Sequence, residues 1–141
     1  MVCWSFDHYE DWMGPYPVDI YLDQFSKLLP KWDKACEILE DAAHNDTAKE
    51  LLLFAKFATL MLRSDVIHTK YALAKRNLPA SKAELAELIK AERDVTKKLL
   101  ALLPGSSLIG FETSNHYFFT ERGFIEKLVQ LEALEAELEQ L

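Results

Sequence analysis

Apolar residues recur at alternating steps of four and three along most of this chain, the spacing that keeps one face of an α-helix turned toward a core. Between Val18 and about His44 the stripe is Tyr21, Phe25, Leu28, Trp32, Ala35, Leu39 and Ala42. Pro30 falls inside it without changing its phase, which predicts one kinked helix, or two nearly coaxial ones, with the break near Leu29. A second ladder, Leu53, Phe57, Leu60, Ser64, Ile67, Tyr71 and Ala74, follows a cap at Asn45 or Asp46 and reaches roughly Arg76. Its "LLLFAKFATLML" stretch is apolar on most of its circumference, so this helix is expected at the centre of the fold. Pro79 ends it. Ser81, with Glu84 three residues on, has the form of a capping box for a third helix from about Lys82 to Leu103. That helix presents Leu85, Leu88, Glu92, Val95, Leu99 and Leu102, and "PGSS" at 104–107 stops it. Thr120 caps a fourth, with the stripe Phe124, Leu128, Leu131, Leu134, Leu138 and Leu141.

The short connections at 44–46 and 77–81 make the first three helices antiparallel neighbours, and the long aromatic segment from 104 to 119 lets the fourth pack across them. The expected fold is therefore all-α: an antiparallel bundle of three long helices plus a fourth C-terminal helix over residues 18–141, preceded by an aromatic N-terminal extension, residues 1–17. The extension, "MVCWSFDHYEDWMGPYP", first alternates apolar and polar residues as a strand does, then collects aromatics and acids. One strand alone is not stable, so the segment either folds over the bundle as a flap or is the last strand of a larger domain. At the other end "LEALEAELEQL" has too few basic partners for self-supporting ion pairs, and its leucine stripe must rest on the bundle or on a second copy of the chain.

Composition acts mainly by exclusion. A chain of 141 residues, half of them hydrophobic and 28% charged, can bury a core as one folded domain. A net charge of -7 leaves no basic stripe for phosphates, so neither nucleic acid nor an anionic membrane surface is an expected partner. No segment approaches the roughly 18 unbroken apolar residues of a membrane span, and the start lacks a signal-peptide pattern, so the expected location is cytoplasmic. Cys3 and Cys36 lack ligand spacing, and His8, His44, His68 and His116 are too scattered for zinc. Four glycines supply no phosphate loop, and neither metal nor cofactor is expected.

Candidate chemistry gathers in three places. In "GFETSNHYFFT", residues 110–120, the rings of Phe111, Phe118 and Phe119 are expected to plug the bundle. Glu112, Asn115, His116 and Tyr117 are a donor and acceptor set suited to sugar hydroxyls, or else to the loop's own backbone. In the extension, Trp4, Tyr9 and Trp12 offer flat faces that stack on sugars or on a partner, with Asp7 and His8 beside them. Asp7, Glu10 and Asp11 have the residue types of a general acid and base, but nothing in the sequence raises a pKa, and no catalytic residue is assigned. Third, Ser64 and Glu92 fall on the apolar faces of their helices, with Asp65 and His68 on an adjacent stripe. A buried carboxylate is costly unless paired, so Glu92 is expected to find His68, Arg63 or Arg93, and Asp65, His68 and Glu92 read as a structural polar network. A metal held in a bundle would want Glu-x-x-His from two helices, which is absent.

The order "CWSFDHYEDWMGPYPVDIYLDQF", then "DVIHTKYALAKRN", then "ELIKAERDVTKKLLALLPGSSLIGFETSNHYFFTERGFIEKLVQLE" resembles the C-terminal helical region of large bacterial glycoside-hydrolase-like proteins, in which a TIM barrel is followed by a helical segment with a "GFE-S-NHY" stretch. The likeness spans nearly the whole chain, but only "GFETSNHYFFT" and "GPYPVD" are specific. It implies carbohydrate processing by a longer chain, with "VCWSF" as a final barrel strand and "DHYEDW" near the barrel mouth. Two functions follow as expectations. One is a non-catalytic accessory domain that supports or completes a sugar site, beside a barrel partner. The other is a helical interaction module, a homodimer through the aromatic tail and the last helix.

Overall fold

The apolar ladders become four helices in a computed structural model that describes residues 15–105, 109, 111–112, 117–118 and 120–141. They are α1 (Val18–Ala42), α2 (Asp46–Lys75), α3 (Lys82–Leu102) and α4 (Glu121–Glu139). A 3-10 turn, Leu103–Gly105, ends α3, and two short strands, β1 (Phe111–Glu112) and β2 (Tyr117–Phe118), interrupt what the sequence suggests is an irregular loop. They pair antiparallel, Phe111 opposite Phe118 and Glu112 opposite Tyr117. The fold is the expected all-α bundle. Its three extensive seams are α1 with α2, α2 with α3, and α3 with α4.

Capping chemistry explains two helix starts and corrects a third. The Asn45 side chain accepts the Ala48 amide at 2.9 Å, and the Thr120 hydroxyl accepts the Gly123 amide at 3.2 Å, each satisfying a first-turn donor. Ser81 forms no capping box. Its side chain makes no cap hydrogen bond, and its hydroxyl instead donates to the Ala74 carbonyl at 2.6 Å. The Ala74 carbonyl already accepts the Asn77 amide at 2.9 Å, and the 76–81 connection folds back closely enough for Ser81 to add a second donor.

Helix α1 runs unbroken through Pro30, which settles the choice between one helix and two. Its inward face is rotated from the expected stripe. Tyr21, Phe25, Trp32 and Leu39 face in as anticipated, but Leu28, Ala35 and Ala42 are exposed, and Leu22, Leu29 and Cys36 take the inner positions. The Trp32 indole donates to the Ala55 carbonyl at 3.2 Å and fixes α1 on α2.

Two apolar clusters form the core. One joins Phe57, Val95, Leu99, Ile109 and Phe124, with the Phe57 and Phe124 rings edge to face at 6.5 Å. The other joins Ala74, Leu85, Ile89, Leu131 and Leu138. Phe124, Leu131 and Leu138 are spaced by seven and are all buried, so the leucine stripe of α4 rests on its own bundle, chiefly on α3, rather than lying across all three helices. Among the described residues no helix is long and apolar enough to cross a membrane.

Candidate functional site

Helix α2 presents charged groups on two faces, and the bundle treats them differently. On the side toward α3 and α4, Glu92 of α3 is only 2% exposed. A carboxylate so enclosed needs donors, and one oxygen receives all of them. Oε1 accepts the Ser64 hydroxyl at 2.6 Å, lies 3.3 Å from His68 Nε2, and accepts the ammonium of Lys127 from α4. Lys127 also reaches Ser64 Oγ at 3.3 Å. Burial raises the Glu92 pKa, but the His68 hydrogen bond and the Lys127 and His68 charges outweigh it and hold the group at about 2. Oε2, like the hydroxyl of buried Thr96 one turn on, has no hydrogen-bond partner.

Asp65 sits on the same helix as His68, half-buried, with no ion pair through its carboxylate among the described residues. Burial pushes its pKa up to about 6, aided by the Glu92 charge and opposed by His68 and Lys127. Tyr21 of α1 is raised by burial and then by the Asp65 charge. The expected trio is thus only partly one network. His68 and Glu92 meet, whereas Asp65 is coupled through its field alone. Of the partners expected for Glu92, Arg63 pairs with Asp33 and Arg93 with Glu135, and the cation that reaches Glu92 is Lys127, which the sequence reading missed. Lys127 falls three residues after Phe124 and four before Leu131, inside the buried stripe, and that position was the available signal.

The other face of α2 borders an open groove of about 620 Å3 between α1, α2 and α3. Asp33, Cys36, Glu37 and Glu40 line it from α1, and Lys56, Thr59, Leu60 and Arg63 line it from α2. Both sets follow the spacing i, i+3, i+4, i+7, which makes each wall two helical turns long. Lys98, Ala101 and Leu102 close it from α3. Its polar floor is internally satisfied: Cys36 Sγ and Thr59 Oγ1 lie 3.6 Å apart, and Thr59 donates to the Ala55 carbonyl at 2.8 Å. Arg63 to Asp33, and Lys56 to Glu40 at 2.8 Å, are half-exposed pairs that tie α1 to α2.

Most of the other candidate positions are not among the described residues. Trp4, Asp7, His8, Tyr9, Trp12, Asn115 and His116 lie outside the described residues. Glu112 and Tyr117 face each other across the two-residue ladder by backbone pairing, which is all the structure describes of them. Among the described residues no group of His, Cys, Asp and Glu is placed to hold a metal ion. No protein-family model matches this chain, and no curated protein or solved structure matches it either, so nothing beyond its own residues links it to the glycoside-hydrolase-like proteins.

Proposed function

We propose that this chain is a non-catalytic helical interaction module whose binding surface is the groove between α1, α2 and α3. The observation that carries the reading is the groove's form: two walls of two turns each, over a floor where the Cys36 thiol and the Thr59 hydroxyl are hydrogen-bonded within the bundle. Such a trough accepts a helical segment through anchors at i, i+3, i+4 and i+7. In the alternative polar cluster the Glu92 carboxylate is buried, and the donors that reach it, Ser64, His68 and Lys127, all come from the bundle itself. The carbohydrate-accessory role implied by the sequence resemblance depends on residues 4–12 and 112–117, and none of the described residues that line the groove carries an aromatic ring on which a sugar would stack. The interaction reading therefore comes first.

The test is a displayed library of helical peptides selected on the wild-type chain and rescreened on Ala101→Trp. Ala101 is exposed on the groove wall, so an indole there fills the trough without entering the core. Selected peptides should lose at least about tenfold in affinity on the variant. Peptides indifferent to the change would defeat the reading, and a positive glycan array with no peptide selected would favour the carbohydrate role.

A further inference from the structure

Resting on that reading, we infer that the groove's occupant is an acidic amphipathic helix, with apolar side chains on the Leu60 and Leu102 floor and a carboxylate on Lys98. The argument is one of charges already used and charge left over. The lining carries three acids, Asp33, Glu37 and Glu40, and three cations, Lys56, Arg63 and Lys98. Every acid is engaged: Asp33 by Arg63, Glu40 by Lys56, and Glu37 by Lys34 of its own helix at 2.9 Å. Among the cations Arg63 and Lys56 are spent on α1, and Lys98 alone makes no ion pair among the described residues. An incoming basic helix would have to compete for carboxylates already paired with Arg63, Lys56 and Lys34. An acidic helix finds a ready cation.

Apolar contact supplies the rest. The floor's hydroxyl and thiol are turned on each other, so the side chains that fit over them are apolar, and exposed Ala101 allows a close approach of the partner backbone. The whole chain is acidic at -7, which repels an acidic partner at long range. Beyond roughly 8 Å that repulsion is screened at physiological ionic strength, so the groove's local charge decides the preference.

The experiment uses two fluorescein-labelled synthetic peptides with one Leu/Ala anchor pattern, one carrying Glu and the other Lys on its polar face, titrated into the wild-type chain, Lys98→Glu and Ala101→Trp. Thermal melts establish that both variants fold. The Glu peptide should bind the wild type at least about tenfold more tightly than the Lys peptide, lose that advantage on Lys98→Glu, and be lost on Ala101→Trp. Raising the salt should weaken the Glu peptide alone. Equal binding of both peptides, abolished by Ala101→Trp but untouched by Lys98→Glu, overturns the acidic preference while the groove stands. Binding that ignores Ala101→Trp overturns both. Binding of neither peptide, where library-selected peptides still depend on Ala101, overturns the acidic preference alone.

Discussion

The two charged faces of α2 show how one helix can carry a lock on one side and a binding surface on the other. At Glu92 the acid is 2% exposed and its cation, Lys127, has a side chain 27% exposed. Across the groove Asp33 and Arg63 are 41% and 40% exposed. The contrast decides what each pair can do. A buried pair is weak evidence of net stabilisation, because desolvation offsets its attraction, but removing one member strands a charge. An exposed pair is screened and worth little either way. The first fixes where α4 sits on α2 and α3. The second leaves α1 adjustable at the edge of an open trough.

The sharpest way to break this comparison is to remove one cation from each face. Lys127→Ala should cost about 3 to 5 kcal/mol in urea unfolding, since Glu92 would stay buried with only Ser64 and His68 as donors. A loss below about 1 kcal/mol would show that α4 shifts to let water reach Glu92 and that the lock is not one.

A smaller effect comes from pH. Glu92, held at about 2 against 4.5, adds stability that is present above pH 4.5 and lost as pH falls through about 2. Asp65 runs the other way. Its folded pKa of about 6 exceeds the ordinary 3.8, so its contribution is full below pH 3.8 and disappears as pH rises through about 6. Stability should therefore decline from pH 4 to pH 7 by about 1 to 2 kcal/mol, allowing for the partial exposure of Asp65. Asp65→Asn should flatten that decline and leave the acid limb intact, as followed by unfolding midpoints across the range. A decline that persists in the variant would mean that the charge near α2 resides elsewhere. Least of all should Arg63→Ala matter, at under about 1 kcal/mol, and a larger loss would make the groove wall as rigid as the core.

Much of this fold was legible because the ladder of α2 keeps one phase over its whole length, and Phe57, Ser64 and Ala74 are buried as that phase requires. Helix α1 was harder. Its wheel holds alanines and leucines on both sides, so apolarity alone could not choose between the Ala35 and Cys36 faces, and the choice fell to Trp32 reaching a carbonyl of α2. The Ser81–Glu84 pattern matched a capping box, but a nearby Ala74 carbonyl competed for the hydroxyl, a tertiary contact that no local pattern announces. The polar cluster was half legible. Glu92 on an apolar stripe announced a buried charge, whereas Lys127 was read past because a lysine among leucines looks like an exposed residue. The groove was invisible, since it depends on how far α1 stands from α3.

The three extensive seams each join helices consecutive in the chain, and that order bears on how quickly the molecule organises itself. Each helical hairpin closes over a connection of only a few residues except the last, so most native pairings require little loop-closure entropy. Folding on the scale of microseconds to milliseconds is expected for such local topology, with the α1–α2 and α2–α3 hairpins closing before α4, tethered through residues 103–120, arrives.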